Sequence, residues 1–221
     1  MSVKENLIAL KNKLPLSCTL VAVSKTKPND LLMEAYSCGQ RDFGENYVQE
    51  LCAKYEALPK DIRWHFIGHL QSNKVKYIVP FVHLIHGVDS KKLLLEINKQ
   101  SIKQKINTRV LLQYYIAKEE SKFGLDDSEL NEIITIYANA ELTGITILGL
   151  MGMASNTNDQ NVIISEFNSI QDKFNEIKKI LGANFNTLSI GMSGDYELAL
   201  KSGSNMVRIG SSIFGARSYK P

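Results

Sequence analysis

Long apolar runs are absent. No stretch of 18 apolar residues occurs, so no membrane-spanning helix is expected. Cysteine is scarce and odd in number. Cys18, Cys38 and Cys52 lack CxxC spacing, which argues against a disulfide framework or a cysteine metal site and for reduced thiols in a reducing compartment. A charge excess of one sign is also missing. Lys and Arg number 26 against 23 Asp and Glu, and no dense basic block occurs, so nucleic acid is not an expected partner. The opening Met1-Ser2-Val3-Lys4-Glu5-Asn6 has no apolar run behind a basic region, so no signal peptide is expected. No Pro/Gly/Ser linker and no shift of composition divides the chain. These absences lead us to expect one cytoplasmic domain over residues 1–221.

What is present is ordinary globular chemistry, 44% hydrophobic and 22% charged. Val3, Leu7, Leu10 and Leu14 form one helical stripe, with Ser2 and Glu5 as a capping pair. Short β-branched runs then recur: residues 18–24, 41–46, 62–68, 82–88, 108–115, 145–150, 188–191 and 206–210. Helical patterns separate them, and a polar loop is expected over 117–125. The longest helix, over 158–181, carries Ile163, Phe167, Ile170, Phe174, Ile177 and Leu181 on one face. Strict alternation implies a parallel sheet. Eight units imply a closed (β/α)8 barrel of TIM type, here with an extra N-terminal helix.

The active site of such a barrel lies at the carboxyl ends of its strands. Strand one runs into Ser24-Lys25-Thr26-Lys27 before Pro28, which cannot donate to a ladder. A lysine at that point, partly desolvated, is a candidate nucleophile toward an aldehyde. The alternative is that Lys25 and Lys27 are solvated loop lysines. Strands seven and eight run into Gly191-Met192-Ser193-Gly194 and Arg208-Ile209-Gly210-Ser211-Ser212, where this fold commonly builds a phosphate site. Gly210 and Ser211 could equally be a plain helix cap, and Arg208 could pair with a carboxylate. Barrel closure brings Lys25 near Arg208. An amine, a phosphate cradle and an arginine fit an aldehyde cofactor carrying a phosphate, pyridoxal 5′-phosphate (PLP).

The stretches Ala22–Pro28, Phe43–Glu50, Trp64–Lys74, Gly149–Met151, Leu188–Ser193 and Val207–Arg217 together resemble the PLP-binding protein family, also called the pyridoxal phosphate homeostasis protein family. The resemblance spans about Asn6 to Tyr219. It implies an alanine-racemase-like barrel without the racemase's second domain. It further implies a protein that holds PLP as a Schiff base on Lys25 and serves vitamin B6 homeostasis with little or no turnover. By position, Ser193, Gly210 and Ser211 fall in the phosphate-binding segments, Arg208 matches the arginine facing the pyridine nitrogen, and Asn46 and His65 lie in pocket-lining motifs. His69 stands where proline is expected, and Gly194 where aspartate is expected before Asp195. PLP-dependent apo-enzymes are the partners such a role implies, and a monomer is the default.

An arginine facing the ring nitrogen keeps the pyridine neutral, a poorer electron sink than a pyridinium. The alternative, a PLP-dependent amino-acid racemase of the alanine racemase type, needs a second acid/base group, for which Tyr47, Tyr196 and Tyr219 are the candidates. No metal is expected. His65 and His69 are four apart, but Gly68 and the strand pattern spoil a common helical face. His83 and His86, three apart on a strand, should point to opposite faces.

Overall fold

In a computed structural model, residues 2–117 and 123–216 are described. Arg217, Tyr219 and most of the loop expected over 117–125 lie outside them. The element order is α1 (Val3–Lys11), β1 (Thr19–Val23), α2 (Asn29–Ser37), β2 (Asp42–Glu45), α3 (Val48–Ala57) and β3 (Arg63–Phe66). A 3-10 turn (Ser72–Lys74) then leads into α4 (Val75–Ile78). There follow β4 (Leu84–Val88), α5 (Lys91–Gln104), β5 (Thr108–Gln113), α6 (Asp127–Ala138) and β6 (Ile145–Met151). The chain ends with α7 (Gln160–Leu181), β7 (Thr187–Ser189), α8 (Tyr196–Lys201), β8 (Met206–Ile209) and α9 (Ser211–Phe214). The eight strands close into a parallel barrel in sequence order, as expected. Closure pairs Val21 with Arg208 and Ala22 with Ile209.

Local chemistry sets the helix starts. Ser2 Oγ accepts from the Glu5 amide while the Glu5 carboxylate accepts from the Ser2 amide, the reciprocal capping box. Ser90 caps α5 and Asp126 caps α6, each accepting an amide three residues on. The expected face of α7 is buried at Ile163, Phe167, Ile170, Phe174 and Ile177, and packs into the main core between sheet and helices. Inside the barrel, Val21, Leu84, Leu111, Met151 and Met206 form a second apolar cluster. Period-two alternation along β3, β4, β7 and β8 puts His65, His86, Ser189 and Arg208 in the same interior.

Three expectations change. The first helix ends at Lys11 rather than reaching Leu14. The seventh strand ends at Ser189 because Gly191 sits at φ +97°, in the left-handed region, and a Cβ there would come within 2.6 Å of Ala199 Cβ. His83 and His86 do not point apart. β4 begins at Leu84, so His83 precedes the alternating part, and the β4–β5 register is irregular. Both rings approach His65, with centroids 5.3 and 5.1 Å away.

Candidate functional site

A cavity of about 320 Å³ opens at the carboxyl ends of the strands. That lies in the usual range for small-ligand sites, roughly 300–1,000 Å³. Lys25, Asn46, Ser193, Arg208, Gly210 and Ser211 line it, so six of the seven residues singled out in the sequence share one wall system. Ile67, Met153 and Met192, none of them singled out as a site residue in the sequence, supply apolar surface.

His65 is the exception. It was expected at the pocket but is not among the lining residues, because the alternation of β3 turns its ring into the barrel interior. There Nε2 lies 3.0 Å from Asp42 Oδ1 and Nδ1 lies 2.9 Å from His86 Nε2. It meets Arg208 only through His86 and Ser189.

Lys25 follows β1 on a tightly held loop. The Lys27 amide donates to the Ser24 carbonyl, and Thr26 adopts φ +64°. A non-glycine residue in that region persists only when its surroundings hold it. The Thr26 amide donates to Glu50 Oε1 at 2.6 Å. Lys54 Nζ donates to the Ser24 carbonyl, to Glu45 and to Glu50, all within 2.8 Å. Glu45 is fully buried. Burial pushes its carboxyl up to about 7, against the pull of Lys54 and Ser24.

Lys27 is not a solvated loop lysine. Its Nζ donates to the carbonyls of Phe214, Gly215 and Ala216 and so holds the C-terminal end of α9. On the other side of α9, Asn6 Nδ2 of α1 donates to the Ile213 carbonyl at 3.0 Å. The extra N-terminal helix therefore braces the segment that carries Ser211.

Arg208 makes no ion pair among the described residues. Nη1 donates to the carbonyl and hydroxyl of Ser189 at 2.6 and 2.7 Å, and Nη2 donates to the Gly152 carbonyl at 2.9 Å. Burial lowers it to about 10, with Asp195 opposing, so it is charged at neutral pH. Three of its five N–H groups are thus used. No acceptor among the described residues takes the other two.

The site residues fit PLP on structural grounds. The side-chain oxygen of Asn46 is buried and has no hydrogen-bond partner among the described residues, a cost a ligand donor would remove. The amides of Ser211 and Ser212 have no acceptor among the described residues. Ser193 Oγ already accepts from the Gly210 amide at 3.3 Å. A Cβ on Gly210 would sit 3.1 Å from the Val23 carbonyl, so bare backbone suits that corner.

The departures at the rim have local accounts. Exposed His69 pairs with Asp89 at 2.7 Å and lies against Phe123, which gives that loop a contact where proline would give stiffness. Gly194 has open space where a side chain would stand. Asp42, His65 and His83 bring ligating atoms within 4.8 Å of one another, a cluster no sequence spacing revealed. Asp42 is taken by Arg63, and the positive charges of Arg63 and Arg109 bear on His83, so the cluster suits a hydrogen-bond network better than a cation.

The family model of the alanine racemase N-terminal domain matches residues 1–218. The pyridoxal phosphate homeostasis protein of Aquifex aeolicus (strain VF5) is 39% identical over 201 residues, covering 90% of this chain and 87% of the relative. That of Homo sapiens is 42% identical over 212 residues, covering 90% and 77%. The chain belongs to the pyridoxal phosphate homeostasis protein family. Among solved structures, PipY of Synechococcus elongatus PCC7942 with PLP bound superposes at a TM-score of 0.88, with 33% identity over 97% of this chain and 100% of that one. Alanine racemase from Streptomyces coelicolor A3(2) superposes at 0.80 with 17% identity, covering 97% of this chain and 58% of that one, which is a likeness of fold. The pyridoxal phosphate homeostasis protein family thus shares its barrel with the racemases. No helix of the described residues is long and apolar enough to cross a membrane.

Proposed function

We propose that this chain binds PLP and serves intracellular vitamin B6 homeostasis, acting as one domain over residues 1–221. The observation that carries the reading is the convergence of Lys25, Arg208, Ser193, Gly210, Ser211 and Asn46 on one cavity of ligand size, in a chain of this family. PLP supplies an aldehyde that an amine can take up and a phosphate that anchors it.

Lys25 is the amine. Ser193, Gly210 and the first amides of α9 hold the phosphate, with Lys27 and Asn6 fixing α9 beneath them. Arg208 directs its two remaining donors to the ring. It stays charged there, so a second positive charge on the ring is disfavoured and carbanion chemistry is weak. Turnover also needs a second acid or base at the ring. The tyrosine candidates do not supply one within the described residues: Tyr196 donates to Glu197, and neither Tyr47 nor Tyr196 lines the cavity. This supports binding and release over racemisation, with PLP-dependent apo-enzymes as recipients.

The test is a visible spectrum of the protein mixed with PLP, followed by borohydride reduction and peptide mapping. A new band and a reduced adduct on Lys25, both lost in Lys25→Ala, are expected. An adduct spread over surface lysines, or a racemisation rate that Lys25→Ala abolishes, would overturn the corresponding half of the proposal.

A further inference from the structure

Arg208 is one end of an unbroken chain of side chains through the barrel. Ser189, the last residue of β7, accepts from Arg208 Nη1 at 2.7 Å. Its Oγ lies 3.1 Å from His86 Nδ1. His86 Nε2 lies 2.9 Å from His65 Nδ1, and His65 Nε2 lies 3.0 Å from Asp42 Oδ1. Asp42, the first residue of β2, is held from outside by Arg63, whose Nε donates at 2.7 Å. The chain crosses from the amino-terminal edge of the sheet to the cavity, and its three middle members are buried.

Donor arithmetic orients every link. A guanidinium only donates and a carboxylate only accepts. Ser189 Oγ accepts from Arg208, and His86 Nδ1 is the acceptor within reach of its own hydrogen. His86 then carries its hydrogen on Nε2 and donates to His65 Nδ1. His65 carries its hydrogen on Nε2 and donates to Asp42. Both rings are neutral in the same tautomer, and no member is left without a partner. The reverse orientation needs both hydrogens on His65, because Nε2 must still donate to Asp42; it also aims His86 and Arg208 hydrogens at one serine oxygen, with no acceptor for the serine hydrogen within the relay.

We infer that Ser189, His86, His65 and Asp42 form a hydrogen-bond relay of fixed polarity that positions Arg208 for the cofactor ring. The inference rests on the PLP reading for the purpose of the relay, but not for its polarity. Ser189 is the positioning residue nearest the site. It holds Nη1 at two points, and with Gly152 on Nη2 the guanidinium plane is set before any ligand arrives. Preorganised donors cost no rearrangement on binding.

The test uses the full chain, 15N-labelled at its four histidines, in long-range 1H–15N spectra without PLP. His65 and His86 are expected as Nε2–H tautomers in the folded protein at neutral pH. An Nδ1–H tautomer at either, or a doubly protonated ring, overturns the polarity. Ser189→Ala is then expected to move the His86 signals and weaken PLP binding about tenfold, the loss of one bond to a charged group. Unmoved His86 signals or unchanged PLP affinity overturn the positioning role. The wild-type tautomers decide the polarity even if Ser189→Ala does not fold. If wild-type protein takes up no PLP, the functional reading and the positioning role fall together, while the tautomers still answer for the relay itself.

Discussion

Lys27 Nζ lies 3.1 Å from the carbonyl oxygen of Phe214, at the far end of the chain. This contact and its companions at Gly215 and Ala216 tie the loop bearing Lys25 to the helix bearing Ser211. Two segments that the proposed binding mode places at opposite ends of one ligand are thereby held by one ammonium.

Lys27→Met removes that tie and leaves three carbonyls to water. The site is half-buried, so a loss of about 1 kcal/mol of stability is expected. That corresponds to a melting temperature lower by roughly 2–4 °C. PLP affinity should fall several-fold, because α9 is less well placed. Calorimetry with PLP titration reads both. A variant with wild-type affinity would show that α9 needs no clamp.

Asn46→Ala should separate binding from stability. The buried amide oxygen has no partner among the described residues, so removing it should cost the fold without PLP little, within about 1 kcal/mol. PLP binding should weaken about tenfold, a bond's worth of affinity. Chemical denaturation without PLP and equilibrium titration with it give the two numbers. A large stability loss with unaltered binding would place Asn46 in the scaffold and out of the site.

Glu45 gives a pH signature. Burial raises its carboxyl from its ordinary value near 4.5 to about 7 in the folded state. A raised folded value means the stabilising contribution is full below about pH 4.5 and is lost as pH rises through 7. Glu45→Gln cannot ionise. The stability of wild type relative to Glu45→Gln should therefore decline from about pH 4.5 to 7 and level off above. Denaturant midpoints across that range check it. A difference that does not change with pH would mean the carboxyl titrates normally.

His83 has the opposite sign. Burial, aided by His65 and Arg109, lowers it to about 4 from 6.5. A lowered folded value means its contribution is present above pH 6.5 and is lost as pH falls toward 4. His83→Gln should flatten the acid limb of the stability curve between those values. An acid limb as steep as the wild type's would assign the loss to other groups, with Asp42 next to examine.

The barrel was legible because its signals are local. Eight short β-branched runs alternate with helical stripes, and the capping pairs Ser2/Glu5 and Asp126/Glu129 behave as their residue types require. That Lys25, Ser193, Gly210 and Ser211 border one cavity was legible for a related reason: the fold puts its loops of one side where strands end, so a residue's place along the chain predicts its side of the barrel. His83 and His86 were misjudged because the alternation was extended one residue before the strand begins.

By itself, then, the sequence determined strand and helix order, the barrel, and which loops face the site. Those follow from period, capping and chain direction, which neighbouring residues decide among themselves. Only the tertiary structure decided the partners. That His65 serves the interior and not the pocket, that Ser189 grips Arg208, and that Lys27 holds the end of α9 depend on residues far apart in the chain. Such contacts are set by strand register and barrel closure, which bring Val21 opposite Arg208 and carry no mark in either residue's own neighbourhood.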